Sequence, residues 1–417
     1  MTAQSNADAV VIGAGIVGIM AAHYLQSDGR NVLLVEREAV AAGASAGNAG
    51  ILAFPEIIPI PSPGIMFKAP RWLLDPLGPL SLPPAYALKI LPWLWQFWRA
   101  SSRKAFLHGI AAQTGMMHLA KTEMERVRTI AELSSFFTQT GTLDLYDSET
   151  SFNAATADWL EKEKAGCQFT SVGRADIERL QPGLAPQFRH AMYSPAGIQV
   201  NDPQGLTRAV ADLVVARGGA LRTGEVKDIM PCAKGAMVTL ADGSTINART
   251  VVLAGGAWSK PLAARLGDPL PLETERGYNT TLPAQAFQLQ RQLYFNDHAF
   301  VVTPLAEGIR VGGAVELGGL ELAPNFRRSK ALLAKAARFL PELKTEGGRE
   351  WMGFRPSMPD CLPVIGRSSA SPSILYAFGH GHLGLTQSAA TGKLISDLAA
   401  GRATSLSTTP FSAARFR

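Results

Sequence analysis

The chain has 417 residues, 47% of them hydrophobic and 18% charged; that is too long for one ordinary core and too apolar for a disordered chain, so it reads as a globular protein of two domains. Its net charge of +6 comes from scattered basic residues, and no basic run points to a nucleic-acid partner. Cys167, Cys232 and Cys361 are far apart and odd in number; they offer neither a disulfide framework nor a metal-ligand spacing, which suits a reducing, cytoplasmic compartment.

The segment Met1–Asp8 lacks a basic n-region, so the apolar run after it is not read as a signal peptide. No stretch reaches the length of a clean transmembrane helix. Residues 9–12 (AVVI) predict a short buried strand, 13–18 (GAGIVG) a glycine turn, 19–27 a helix stopping at Gly29, and 31–35 (NVLLV) a second strand closed by Glu36. This is a βαβ start with the dinucleotide fingerprint at Gly13, Gly15 and Gly18. Such glycines let the backbone approach a pyrophosphate at a helix N-terminus, where Ile16 and Val17 offer N–H groups. Glu36 lies 21 residues after Gly15, where an acid accepts hydrogen bonds from ribose hydroxyls; Arg37 follows it. This motif alone allows NAD or FAD.

Residues 43–50 (GASAGNAG) are dense in small side chains, which suits backbone lying against a flat ligand. Ala44, Ser45, Asn48, Ala49, Gly50, Ile51 and Leu52 are its candidate contacts. FAD is longer than the adenosine half of NAD and needs this second segment. Prolines then recur from 55 to 84, predicting irregular chain, and Trp72, Trp93, Trp95 and Trp98 cluster beside Arg99, Arg103 and Lys104. That segment, 72–104, has two readings. The preferred one is a hydrophobic lid or core helix. The other is a membrane-surface patch that would place the chain peripherally on the inner face of the cell membrane.

A helix is predicted over 105–137, a strand over 142–146, and a helix over 203–217 started by Asp202 and Pro203. Strands follow at 221–229, 236–240, 245–248 and 250–254, the last ending in Ala254, Gly255 and Gly256. Further strands are predicted at 299–303, 309–312 and 374–378, with helices over 329–339 and 385–400. Between the last strand and helix lies 379–386 (GHGHLGLT), whose helix N-terminus could stabilise negative charge on a reduced flavin. His380 and His382 have no carboxylate or cysteine beside them in sequence, so no metal is assigned to them; a general base is the secondary reading. In 353–356 (GFRP), an arginine followed by proline could pair bidentately with a substrate carboxylate.

Together these segments resemble the D-amino-acid oxidase superfamily of FAD enzymes. The order is the family's: GAGIVG, Glu36, GASAGNAG, TVVLAGGAWS at 250–259, GFRP, and the C-terminal glycine loop with its helix. GASAGNAGIL, the Pro/Trp-rich stretch and GHGHLGLTQSAATGKLISDL look most like the small-subunit type of bacterial D-amino-acid dehydrogenase, including relatives acting on D-hydroxyproline. The resemblance implies an α/β (α+β) fold, with a Rossmann-like FAD domain over 1–60, 190–265 and 350–417. An antiparallel-sheet substrate domain would take 61–189 and 266–349, as in p-hydroxybenzoate hydroxylase. It implies non-covalent FAD, with Val226 contacting the adenine and Gly381, His382, Leu383, Gly384, Leu385 and Thr386 covering the flavin pyrimidine edge. Arg355 would grip the substrate carboxylate and Tyr278 would be a second contact. The arginine and lysine of the sarcosine-oxidase branch are missing at 50–52 and 382–384, which argues against a sarcosine-type site. The implied activity is oxidative deamination of a D-amino acid, including the D-proline or D-hydroxyproline type. Hydride would pass from Cα to flavin N5 and electrons onward to a quinone or another acceptor. The alternatives are an electron-relaying flavin subunit of a heteromeric complex, or an amine- or glycine-type oxidase using oxygen.

Overall fold

Residues 9–12, 32–35 and 251–253 are continuous apolar runs because each lies in a sheet covered on both faces. In the computed structural model, which describes residues 4–65 and 80–417, the strand Gln4–Ile12 runs parallel between Val32–Glu36 and Thr245–Leu253. Alternate side chains go to opposite cores. Ala9 and Val11 pack with the helices Ile16–Ser27, Arg103–Arg128, Pro203–Ala216 and Gly384–Ala400. Val10 and Ile12 pack with the short helix Ser259–Arg265 and the strands around it. Ala220–Thr223 extends the parallel sheet on one side. On the other side Thr245–Leu253 divides its edge: its second half pairs in parallel with Ile374–Phe378, and its first half antiparallel with Gly235–Leu240. Val226–Cys232 and Val364–Arg367 complete an eight-stranded sheet among the described residues.

The second sheet has nine strands among the described residues and is mainly antiparallel. Its order is Arg349–Ser357, Glu273–Leu282, Gly308–Glu316, Phe300–Leu305, Gln292–Phe295, Thr142–Tyr146, His190–Ser194 and Thr170–Gly173, with Leu80–Ser81 pairing to Gly308–Glu316. The helix Arg327–Phe339 packs on one of its faces. A small third sheet, Ile51–Leu52, Ile198–Val200 and Phe137–Gln139, joins distant parts of the chain. The fold is therefore α/β with a second, antiparallel-sheet unit. His190–Ser194 and Arg349–Ser357 pair in the second sheet, although both lie at the edges of segments assigned by sequence to the cofactor domain. The division into two domains remains a proposal that this sheet assignment supports.

Several elements differ from expectation. The helix begun at Arg103 ends at Arg128, not 137, because Leu133 and Phe136 pack from a turn and only mimic helical spacing. The helix Glu149–Lys164 was not foreseen; its signal is a capping box between Ser148 and Ser151. The strand Glu273–Leu282 was missed because nine of its ten residues are buried, which erases the alternation. In the Trp-rich region the helix Leu91–Ala100 has one face packed inward and one exposed. Trp93 packs inward, stacked on Phe97 at 5.3 Å, with its indole N–H 3.4 Å from the Ser357 carbonyl. Trp95 and Trp98 are more than half exposed. Trp72 lies outside the described residues.

Candidate active site

Two long helices, Ile16–Ser27 and Gly384–Ala400, begin at one cavity of about 800 Å³. The residue before each helix supplies no side-chain cap, so both N-termini present N–H groups and partial positive charge to this space. The cavity is bordered by turns at 13–17, 42–49, 254–258 and 381–385, and extends to the second sheet.

The glycine turn shows which glycines the protein itself requires. Gly13 has φ +104°, and a Cβ there would lie 2.5 Å from the Ala254 carbonyl oxygen. A Cβ at Gly18 would collide with the Gly13 carbonyl oxygen, so Gly18 serves helix–strand packing and does not border the cavity. At Gly15 the nearest atom would be Ser45 Oγ at 3.5 Å. No close contact within the protein demands glycine there, and the open space suits a pyrophosphate. The Ile16 N–H donates to Ser45 Oγ at 3.0 Å, tying the second loop to the first. Glu36 accepts from the main-chain N–H groups of Ala14 at 2.7 Å and Glu38 at 3.1 Å. Its carboxylate is thus fixed at the end of the strand, with lone pairs to spare for ribose hydroxyls. Arg37 lies over the Trp258 ring, 3.6 Å from the centroid. These features fit an adenosine diphosphate moiety.

Of the residues expected at the cofactor, Gly13, Gly15, Ile16, Val17, Glu36, Arg37, Ala44, Ser45, Asn48, Ala49, Ile51, Val226, Ala254, Gly255 and Gly381 to Leu385 border the cavity. Gly50, Leu52 and Thr386 do not. Gly50 takes φ +74° against the strand Ile198–Val200, Leu52 is buried in the core, and Thr386 Oγ1 accepts from the Ala53 N–H at 3.0 Å. Sequence reasoning missed the clamp behind the second loop. Arg310, 3% exposed, reaches the carbonyls of Ala46 and Asn48 and pairs with Glu307. Asn279 donates to the Gly47 carbonyl at 3.0 Å. Both come from the second sheet, so nothing local in the sequence announces them.

Arg355 sits on a strand, not in a proline-fixed loop, opposite Glu275 in the neighbouring strand. Its guanidinium lies over Gly277, where a Cβ would come within 2.6 Å of Cζ. It makes no hydrogen bond or close ion pair with the described residues. Burial lowers its pKa, while the nearby Glu275 carboxylate raises it. Tyr278, next along the strand, must face the opposite way. Its hydroxyl bonds Glu316 Oε2 at 2.5 Å and accepts from the Asn325 N–H at 3.0 Å, within the network that buries Arg276. Tyr278 borders the cavity, but its hydroxyl is engaged by Glu316 and the Asn325 N–H. His380 departs from a catalytic reading. It is 3% exposed, burial pushes its pKa down to about 3, and its Nε2 lies 2.9 Å from Thr391 Oγ1. Because the Thr391 hydroxyl donates to Gln387 O, Nε2 carries the proton and His380 anchors the last helix. His382 is different: it projects into the cavity and is walled by protein. Burial lowers its pKa, Glu56 and Glu275 oppose that, and Arg355 adds to it. Cys361, at φ +60°, also borders the cavity; burial drives its thiol pKa up, which keeps it a poor nucleophile.

A family model described as FAD dependent oxidoreductase (DAO) matches residues 8–398. The chain belongs to the DAO family of FAD-dependent oxidoreductases. A D-amino-acid oxidase of Bradyrhizobium diazoefficiens is 32% identical to it, over 97% of this chain and 98% of the relative. A D-amino acid dehydrogenase of Xanthobacter autotrophicus is 28% identical, over 98% of both. Among solved structures, L-proline dehydrogenase from P. horikoshii superposes with a TM-score of 0.76 at 19% identity, covering 99% of this chain and 98% of that one. Glycine oxidase from Geobacillus kaustophilus gives 0.73 at 22% identity, covering 98% of each. These likenesses establish the DAO fold. The cavity of this DAO-family enzyme is thus the natural seat of its FAD, with the glycine turn and Glu36 suited to the adenosine half.

Proposed function

We propose that this enzyme oxidises the Cα–N bond of a D-amino acid and that Arg355 grips the substrate carboxylate. The observation that carries this reading is the Arg355 guanidinium, which borders the cavity beside Gly277 with no hydrogen-bond partner among the described residues. An unpaired charge in such a place costs several kcal/mol unless an anion completes it. A carboxylate matches the planar fork of N–H donors. The names of the two curated relatives support the substrate class.

FAD, when bound, supplies the acceptor for the hydride leaving Cα. Arg355 fixes the carboxylate and thereby the direction of the Cα–H bond. His382, held toward its neutral form by burial, takes a proton from the substrate ammonium. The freed lone pair forms the imine as hydride departs, and water hydrolyses the imine to the oxo acid and ammonia. The helix N-terminus at Gly384 adds positive potential to the same space.

The acceptor in this reading is a membrane quinone, and the exposed apolar face of the helix Leu91–Ala100 supports it. Leu88, Leu91, Trp95 and Trp98 follow helical spacing and are all more than half exposed. Lys89, Arg99, Arg103 and Lys104 surround them in sequence, as suits an anionic lipid face. Among the described residues no helix is long and apolar enough to cross a membrane.

The test is anaerobic bleaching of the flavin by a panel of D- and L-amino acids, prolines and sarcosine, repeated with Arg355→Ala. The expected result is bleaching by D-amino acids, with kcat/KM reduced about 100-fold or more in the variant, the loss typical of truncating one partner of a buried charge pair. A yellow protein that no amino acid bleaches overturns the reading in favour of an electron-relay subunit. Unchanged turnover in the variant removes Arg355 from its role.

A further inference from the structure

At the cavity wall formed by the turn after Ile51–Leu52, two hydrogen-bond acceptors stand without donors among the described residues. Glu56 is held by its own N–H bond to the Ala53 carbonyl at 3.0 Å. Its carboxylate borders the cavity and forms no hydrogen bond or ion pair within 4 Å with the described residues. Beside it Gln113, 4% exposed on the helix Arg103–Arg128, donates Nε2 to the Glu56 carbonyl at 3.4 Å. That carbonyl can only accept, so the amide orientation is fixed, and Gln113 Oε1 is left buried with no donor. The buried Gln113 acceptor is costly without a donor, and the half-buried Glu56 carboxylate beside it opens to the cavity.

The surrounding charges do not settle this debt. Lys162 is the nearby cation, but it is shared with Asp144 and lies 4.4 Å from the Trp159 ring centroid, with no ion pair to Glu56. Burial pushes Asp144 up to about 6, and Asp144 and Glu56 both act on the same Lys162. His382 feels both Glu56 and Arg355, and Arg355 is already near Glu275. The cavity therefore offers an anion site at Arg355 and a separate cation site at Glu56.

We propose that Glu56, supported by Gln113, determines specificity by selecting substrates with a second, side-chain cation, an ammonium or a guanidinium. This rests on the reading of the cavity as an amino-acid-oxidising site. Arg355 takes the carboxylate, the α-amine faces His382, and the side-chain N–H donors satisfy Glu56 and its acceptor neighbour.

The experiment measures kcat/KM of the FAD-loaded enzyme for D-lysine, D-arginine, D-norleucine and D-glutamate, in the wild type, Glu56→Gln and Glu56→Lys. Flavin content reports folding of each variant. The expected result is a wild-type preference of about ten-fold or more for D-lysine over D-norleucine. Glu56→Gln lowers that ratio about ten-fold, and Glu56→Lys gains activity on D-glutamate. A wild type that favours D-norleucine overturns the proposal and leaves the amino-acid reading intact. An equal fall for every substrate in Glu56→Gln also overturns it, because it assigns Glu56 to the α-ammonium or to packing. A wild type that no amino acid bleaches overturns the underlying reading, and this one with it.

Discussion

At Gly277 a methyl group would press on the Arg355 guanidinium from 2.6 Å, which makes this glycine part of the proposed carboxylate grip. Gly277→Ala is expected to retain flavin yet lower kcat/KM by about 10- to 100-fold, since a displacement near 1 Å carries a penalty of that order. Steady-state kinetics at matched flavin content checks it; unchanged constants would show that Arg355 does not rest on Gly277. The two histidines show how far residue type falls short of role. His380 and His382 are two positions apart and both border the cavity, yet only His380 has its Nε2 tied to a neighbour, Thr391. The backbone turn at Gly381, φ +54°, separates their fates.

Among the elements, the helix Leu91–Ala100 carries a function of its own in this reading. Its inward face carries the Trp93–Phe97 stack and is anchored by Trp93 to Ser357 on the strand of Arg355, while its outward face leaves Trp95 and Trp98 to solvent. Arg99 lies 4.8 Å over the Trp95 ring, which keeps a cation at the rim of the apolar stripe. Flotation with anionic vesicles is expected to carry the wild type upward, and Trp95→Ala with Trp98→Ala to leave it in solution. Wild-type protein that stays at the bottom of the gradient ends the membrane reading and with it the support for a quinone. The Trp cluster made such a helix legible in the sequence, but not which faces were free. That depended on Ser357, which is distant in the chain.

For the whole molecule, the cavity lies where the helix N-termini of the parallel sheet meet the second sheet. Its ligand therefore bridges both units, and its removal is expected to weaken them together. Deflavination should lower the melting temperature by several degrees, since a ligand at 100 times its Kd contributes about 2.7 kcal/mol. ADP alone should restore part of that loss, because Gly13, Gly15, Glu36 and Val226 line the end suited to the adenosine half. Thermal melts of the holoprotein, the apoprotein and the apoprotein with ADP test this. Protection by FAD with none by ADP would contradict the assignment of that end.

The sequence by itself determined the cofactor end. A strand, a glycine turn, a helix and Glu36 are consecutive, and their requirements are local: a positive φ at Gly13, an open approach at Gly15, an acid at a strand end. Chain order then carried the family, because several such segments recur in one sequence. Tertiary structure alone decided the substrate end. Arg355 needs Gly277 from the neighbouring strand, Glu56 meets Gln113 from a helix 57 residues on, and the 43–50 loop is clamped by Asn279 and Arg310. Tyr278 was no more legible: the strand Glu273–Leu282 is buried on both faces, so no alternation in the sequence tells that this residue borders the cavity while its hydroxyl meets Glu316.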